Sequence, residues 1–265
     1  MSPCGTLLRG ETPRGDSIFE ERKSRWRTET SCARVRAKGG VTMKRTKLKD
    51  RGLPRYSRGE EIANMVTHIV GGVLGLVVLV VCLYTSLQKA EVWGLVSGLI
   101  YSLSMVALYT VSSIYHGLTA QKGKKVMQVI DHCTIFFLIG GTYTPILLCA
   151  LRPAFPGTAW LLFGLVWGCA ILGAVFNAID LKKYAKFSMI CYIGMGWCIV
   201  LAVKPALMTI PSKGLVWLLA GGIAYTIGAV LYGVGKRKRY MHTVFHLFVL
   251  MGSLFQFFTV AGYIL

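Results

Sequence analysis

Seven long apolar stretches follow one another along the chain, and short polar segments separate them. Most have about the 20 residues that a helix needs to cross a bilayer core about 30 Å thick. Phenylalanine and tyrosine are scattered through them instead of alternating, which argues against the strands of a β-barrel. The pattern predicts an all-α membrane protein, a bundle of seven transmembrane helices that cover residues 62–87, 92–115, 131–150, 158–179, 187–203, 214–234 and 242–264.

Lysine and arginine predict how this bundle is oriented. With a cytoplasmic N-terminus, the inner loops 116–130, 180–186 and 235–241 carry ten of them, whereas the outer loops carry four. Basic residues stay preferentially on the cytoplasmic side, so we predict that the N-terminus lies inside and the C-terminus outside. This is opposite to the orientation of a G-protein-coupled receptor. A retinal protein is not expected either, because the last span has no lysine for a Schiff base.

The composition is that of a membrane protein and argues against a nucleic-acid partner. Of the 265 residues, 54% are hydrophobic, and the mean hydropathy is +0.56, too apolar for an ordinary soluble domain. The net charge is +19, but no basic-aromatic module accompanies it, so we expect no nucleic-acid partner. The eight cysteines form no CxxC pair, which argues against a disulfide framework and against a zinc ribbon.

Residues 1–60 differ from the rest of the chain. They lack the apolar core of a secretory signal and are rich in Arg, Gly, Ser and Thr without any period. We predict a basic, disordered segment here, followed by the membrane domain in residues 61–265. The sequence from Met43 onward, which is rich in Lys and Arg, is typical of the N-terminus of a membrane protein. Our hypothesis is therefore that residues 1–42 are an extension from a misplaced start codon.

Polar and ionisable side chains are rare inside the spans, where such groups usually mark function. Ser112 and His116 lie four residues apart in "SSIYH", near the inner end of the second span. Asp131 begins the third span, and His242 and His246 lie four apart in "HTVFH" at the start of the seventh. The predicted topology places these residues of the three spans in one layer near the cytoplasmic face. Residues four apart in a helix lie on the same face, so Ser112 lies on the face of His116, and His242 on that of His246.

The chemistry of this layer suits a zinc ion. Neutral imidazoles bind zinc, and three protein ligands with one open position are the pattern of catalytic sites. His242 and His246 can chelate one ion from a single helix face, and His116 could complete the set. Asp131 would orient a bound water and accept its proton.

Other roles remain open for the histidines. An HxxxH pair at a helix end can also lie at the headgroup level without a metal. His68, in "NMVTHIVGG" of the first span, is either a fourth ligand or, as we favour, a packing or hydrogen-bonding partner of Asn64. His132 is expected to be a neighbour of the site and not a ligand, since adjacent helix residues point about 100° apart.

The polar segments together resemble a known family. "SSIYH", "DHCTIFFLIGGTYTPILL" and "HTVFH" are similar to the signatures of the progestin and adipoQ receptor superfamily. "EEIANMVTHIVGG" resembles its bacterial branch, the hemolysin III family, and the similarity covers about residues 60–265. It implies seven helices with the N-terminus inside and a zinc ion near the cytoplasmic face. It also implies a site in which His116, His242 and His246 bind zinc, Asp131 holds a water on it, and Ser112 lies beside them.

The resemblance implies a function as well. The adiponectin-receptor branch is associated with ceramidase-like hydrolysis of lipid amides, and the bacterial branch was named for hemolysis. We expect a zinc-dependent hydrolase of a lipid amide or ester in the plasma membrane, with membrane lipids as partners and a lipid or fatty-acyl substrate.

Non-enzymatic functions are the alternatives. The chain could be a pore-forming hemolysin, or a sensor of membrane state in which zinc is structural. A pore has little support, because the middle and outer halves of the spans are almost wholly apolar. A transporter is even less favoured than a pore, because no broken helix or midplane charge is evident beyond Pro145. The sequence predicts no particular oligomeric state.

Overall fold

Seven helices of the computed structural model are long and apolar enough to cross a membrane. The structure describes residue 46, residues 48–235 and residues 238–265, and no β-strand occurs among them. The predicted all-α, seven-helix architecture is confirmed for this part of the chain. The helices are α1 (Arg58–Gln88), α2 (Val92–Gly117), α3 (Gln121–Leu151), α4 (Pro156–Asp180), α5 (Ala185–Thr209), α6 (Ser212–Gly235) and α7 (Met241–Tyr263).

Short connections make consecutive helices antiparallel, so the starts of α1, α3, α5 and α7 lie at one end of the bundle. We call this end the basic end. Its loops and helix ends carry Lys122, Lys125, Lys182, Lys183, Lys186, Lys238 and Arg239. Which side of the membrane this end faces stays a prediction.

The predictions for the N-terminal segment fall mainly on residues 1–45, which lie outside the described residues. The start at Met43 and the domain division at residue 60 stay predictions. Among the described residues, the Thr46 amide and hydroxyl both donate to Asp180 Oδ2, at 3.0 and 2.5 Å. Leu48–Asp50 form a short 3₁₀ helix, so this part of the chain connects the end of α4 to the start of α1.

Helix α1 begins four residues before the apolar stretch that predicts it. Ser57 precedes the helix, and its hydroxyl accepts a hydrogen bond from the Glu60 amide, while Glu60 Oε2 accepts one from the Ser57 amide at 2.8 Å. This capping box satisfies two amide groups that a helix start leaves unpaired. The extra turn includes Glu61, whose carboxylate contacts His116.

Helix α1 packs closely on α2 because small residues lie where the two helices meet. A Cβ atom on Gly71 would collide with the Tyr109 ring, and one on Gly75 would press on Val106. Such small residues allow close approach of helices in membranes, where van der Waals packing drives association. Substituting either glycine would push α1 away from the side chains that α2 presents to the site.

Helix α3 is the most buried of the seven spans. The predicted disturbance at Pro145 is present as a wider π-helical turn, Ile146–Leu151, in which the Arg152 amide donates to the Leu147 carbonyl five residues back. Proline has no amide hydrogen, so the helix adjusts locally, as membrane helices tolerate.

Helix α5 is broken, which the sequence does not predict. It consists of an α-helix to Gly196, a 3₁₀ segment and a final α-helical turn from Val203. The Tyr143 hydroxyl of α3 donates to the Gly196 carbonyl (2.8 Å) and accepts from the Ile199 amide (3.0 Å). The expectation of no broken helix beyond Pro145 was therefore wrong. A side chain of another helix stabilises the break, and Gly194 and Gly196, residues that weaken a helix, lie directly before it.

Candidate metal centre

Three histidines from two helices converge at the basic end. His116 ends α2, and His242 and His246 occupy the first two turns of α7. One ring nitrogen from each lies within 4.8 Å of the others, so the three side chains can hold a metal ion. The topology predicted this convergence, and the structure confirms that these three residues meet.

The spacing within the pair on α7 fits a tetrahedral metal. His242 Nε2 and His246 Nε2 are 3.1 Å apart. Two nitrogens that each lie 2.0–2.1 Å from a tetrahedral zinc are separated by about 3.3 Å. Two neutral imidazole lone pairs at this distance repel each other, so a cation or a proton between them is required. The pair is thus preorganised for one ion.

A carboxylate from α1 fixes the orientation of His116. Glu61 Oε2 lies 2.7 Å from His116 Nδ1, and Glu61 Oε1 lies 2.6 Å from Lys124 Nζ. An Nδ1–H that donates to a carboxylate leaves Nε2 as the lone-pair donor, an arrangement common around metal-binding histidines. His116 Nε2 is buried and has no hydrogen-bond partner in the part of the chain that the structure describes, which fits a metal ligand.

His246 is supported in a similar way. Its Nδ1 lies 3.3 Å from Thr67 Oγ1, and the Thr67 hydroxyl donates to carbonyl oxygens of its own helix. The threonine oxygen can then accept from His246 Nδ1–H, so Nε2 again carries the lone pair. Helix α1 therefore supplies supporting groups for ligands on both α2 and α7.

The segment that precedes α1 covers the third ligand. The ring of Tyr56 stacks on His242, with centroids 5.1 Å apart and planes inclined by 11°, and the ring of Tyr232 lies 5.3 Å away. Burial raises the pKa of Tyr56 above its ordinary value. Its phenol therefore stays protonated at neutral pH and can donate a hydrogen bond near the metal centre.

Asp131 and Ser112 lie on the wall of a cavity that adjoins the histidines. Both side chains are buried, and the cavity is also lined by His242 and His246. The Ser112 hydroxyl makes no hydrogen bond within normal geometry. The structure thus places both predicted residues beside the candidate metal centre, while their roles stay predictions.

The other two histidines, His132 and His68, are not among the three that can hold a metal ion. His132 Nδ1 bonds to the Gln128 carbonyl at 2.8 Å, and the ring is outside the group that can hold a metal. The ring centroid of His68 lies 3.7 Å from that of His246, and both of its nitrogens lack partners. Of the packing and hydrogen-bonding roles expected for His68, the hydrogen bond with Asn64 is not formed: Asn64 Oδ1 accepts from the Thr243 hydroxyl, and Asn64 Nδ2 has no partner among the described residues. His68 packs against the ligand set.

Glu61 and Tyr56 are the site residues that the sequence did not reveal. The sequence pointed to Asp131 as the acidic side chain of the site, and Glu61 contributes a second carboxylate. A helical period does carry a signal, since Glu61, Asn64 and His68 of "EEIANMVTH" are spaced by three and four residues along one face. Tyr56 lies outside every apolar stretch, so no pattern pointed to it.

The cavity beside the histidines has a volume of about 230 Å³. All seven helices contribute to its wall, which is mostly apolar, with Ile135, Leu138 and Val249 among the lining residues. The broken part of α5 also lines it, through Gly196 and Trp197. The candidate metal centre therefore adjoins a mostly apolar space.

Comparison with known proteins identifies the family. A family model described as "Haemolysin-III related" matches residues 56–257. The chain belongs to the hemolysin III family. The matched region begins at Tyr56 and includes every residue of the candidate metal centre. Together with the seven apolar helices, membership in this family makes the chain a multi-pass integral protein of the cell membrane.

Relatives of this hemolysin III family chain occur in bacteria and animals. "Hemolysin-3" of Bacillus cereus is 37% identical over 206 residues, which are 78% of this chain and 92% of the relative. The "Hemolysin-3 homolog" of Bacillus subtilis is 37% identical over 204 residues, 77% and 94% of the two chains. The human "Monocyte to macrophage differentiation factor" is 26% identical over 216 residues, 77% and 84% of the two chains.

Glu61→Gln is expected to weaken zinc binding by about 10- to 100-fold while the fold persists. The amide keeps the shape and still accepts from Lys124, but it no longer holds the His116 tautomer by a charge-assisted hydrogen bond. Competition with a chelator of known affinity measures the change. The matched control is Glu60→Gln, whose carboxylate bonds to Ser57 and to the Tyr240 amide. Equal weakening by both substitutions would show that Glu61 acts only on the fold.

Proposed function

We propose that this protein is a zinc-dependent hydrolase that cleaves the amide or ester bond of an acyl lipid. One observation carries the proposal: His242, His246 and Asp131 line the same cavity as the apolar side chains of α3 and α6. An acyl chain in that cavity would bring its carbonyl to the histidines. Catalytic groups and a chain-binding space are thus parts of one site.

The donor set supports zinc as the metal. All three candidate ligands are imidazoles, which suit zinc, and three protein ligands leave a coordination position open for reaction. The groups around Glu61 and Thr67 hold two of the rings with Nε2 as the metal-binding atom. When bound, zinc supplies Lewis acidity to the acyl carbonyl and to the attacking water.

The proton transfers belong to Asp131. Its carboxylate accepts the proton of the attacking water and returns it to the leaving amine or alkoxide as the acyl bond breaks. Ser112 is placed to orient this carboxylate, because its buried hydroxyl lies on the same cavity wall and has no hydrogen-bond partner among the described residues. Tyr56 keeps the side of the centre next to His242 covered and offers a protonated phenol there.

We also propose that the basic end faces the cytoplasm. The loops of this end carry most of the lysines and arginines of the described membrane domain, and such residues are retained on the inner side. The metal centre would then draw water from the cytoplasm and its lipid substrate from the bilayer.

Release of fatty acid from lipid vesicles tests the proposal. Zinc-loaded protein in vesicles that contain ceramide and phospholipid is expected to release free fatty acid, detected by mass spectrometry. Removing zinc with a chelator should abolish the release, and adding zinc back should restore it. A fully zinc-loaded protein that cleaves neither lipid class contradicts the proposal. Leakage of a vesicle-enclosed dye without any cleavage would favour the pore-forming alternative.

A further inference from the structure

A glutamine at the far end of the cavity has a free hydrogen-bond acceptor. Gln256 lies on α7, ten residues beyond His246 and so about 15 Å further along the helix. The side chain is only 4% exposed and lines the cavity. Its Nε2 donates to the Leu218 carbonyl at 3.1 Å, whereas Oε1 is buried without a partner. The carbonyl requires a donor, which fixes the amide orientation and makes Oε1 the free atom.

The side-chain amide of Gln256 packs against Gly221 of α6. A Cβ atom on Gly221 of α6 would collide with the amide of Gln256. Any other residue at this position would therefore displace the glutamine from the cavity wall. A buried acceptor without a donor is costly and rare, so an acceptor that the surrounding helices hold in place indicates that something donates to it.

A hydrogen-bond donor lies one helical turn away. The Tyr109 hydroxyl donates to Ser253 Oγ at 2.8 Å, and Ser253 Oγ lies 2.9 Å from the Tyr225 hydroxyl oxygen. Either oxygen of this second pair can be the donor, and when Ser253 donates to Tyr225, the Tyr225 hydrogen is free to bond to a ligand. Tyr225 also lines the cavity and packs over Gly252, one turn before Gln256.

These groups contradict the expectation that the middle and outer halves of the spans are almost wholly apolar. Tyr109, Tyr225 and Ser253 form a hydrogen-bonded polar cluster inside the bundle, Gln256 lies about one turn further along α7, and the Tyr109 ring lies 5.1 Å from that of His68. Three of the four are residue types that apolar runs tolerate, so the pattern of hydrophobic positions does not reveal them. The cluster is enclosed by protein, as polar groups in a bilayer require.

We propose that Tyr225 and Gln256 form a polar subsite that binds a hydroxyl group carried partway along an acyl chain. A hydroxyl can accept from the Tyr225 phenol and donate to Gln256 Oε1 at the same time. The inference rests on the proposed function for the position of the acyl carbonyl at the metal centre. The distance of about 15 Å then selects a hydroxyl in the middle of the chain over one next to the carbonyl.

Paired fatty acids test this subsite without requiring turnover. Ricinoleic acid and oleic acid share chain length and double bond and differ by one mid-chain hydroxyl. The full chain in detergent micelles is expected to bind ricinoleic acid about five- to tenfold more tightly, the effect of one or two buried hydrogen bonds. Gln256→Leu and Tyr225→Phe should each remove most of this preference while oleic acid binds as before.

The choice of Tyr225→Phe, together with one control variant, separates the loss of a hydrogen bond from misfolding. Tyr225→Phe keeps the ring that packs on Gly252, so it separates the loss of a hydroxyl from misfolding. Thr142→Val is the matched control, because the Thr142 hydroxyl of the cavity wall already donates to the Leu138 carbonyl, and its preference should equal that of the wild type.

Equal affinities for the two acids, binding of neither, or a preference that survives both substitutions overturns the subsite. Those results would mean that only water bonds to Gln256. An intact preference in a protein that hydrolyses no lipid would support the subsite and contradict the hydrolase, so the two proposals fail separately.

Discussion

His242→Ala is expected to leave the purified protein without bound zinc and without lipid hydrolysis. His242 and His246 present two nitrogens 3.1 Å apart, and removing one destroys the chelating pair. Loss of a direct ligand should weaken zinc binding by more than the roughly 10- to 100-fold that loss of a supporting group causes. Metal analysis of the protein after gel filtration measures this directly.

The control for this substitution is His132→Ala. His132 lines the same cavity, but its Nδ1 bonds to a carbonyl of its own helix and it is not part of the ligand group. This variant should retain its zinc. Full zinc occupancy in His242→Ala, or equal loss in both variants, would show that the metal binds elsewhere or that the histidines serve only packing.

Asp131→Asn is expected to retain zinc and to lose about 100- to 10,000-fold in the rate of lipid hydrolysis. The amide has nearly the shape of the carboxylate but cannot accept and return a proton, and general acid–base catalysis contributes about this factor. Asp131 is not among the candidate ligands, so the metal content should match that of the wild type. The rate is measured as fatty-acid release at saturating zinc.

Asp180→Asn provides the matched control for the carboxylate. Asp180 ends α4 and accepts from the Thr46 amide and hydroxyl, so its loss affects the contact between the N-terminal segment and α4. The rate of hydrolysis should stay within about threefold of the wild type, because the group does not line the cavity. A comparable loss in both variants would assign the effect of Asp131 to stability.

The sequence predicted the parts of the fold that follow from apolar runs. Seven spans, their antiparallel order and the meeting of His116 with His242 and His246 follow from hydrophobic length and from the alternation of direction. These are properties of single segments and their order. The family resemblance is confirmed by the match over residues 56–257.

The parts that sequence reasoning missed depend on contacts between segments. Glu61 precedes its apolar run, and only the capping box at Ser57 places it in α1 opposite His116. The break in α5 follows Gly194 and Gly196, but the Tyr143 hydroxyl of α3 that stabilises it is a contact between segments. Gln256 lies in an apolar run, and its free acceptor becomes visible only when the cavity is formed.

Fatty-acid release by the wild type and Asp131→Asn, compared at equal zinc content in the same vesicles, decides whether the protein is a zinc-dependent hydrolase. We expect the wild type to release fatty acid from an amide or ester lipid and the variant, with the same zinc content, to be slower by at least about 100-fold. Equal release by the two proteins, or none by a fully zinc-loaded wild type, would contradict this expectation.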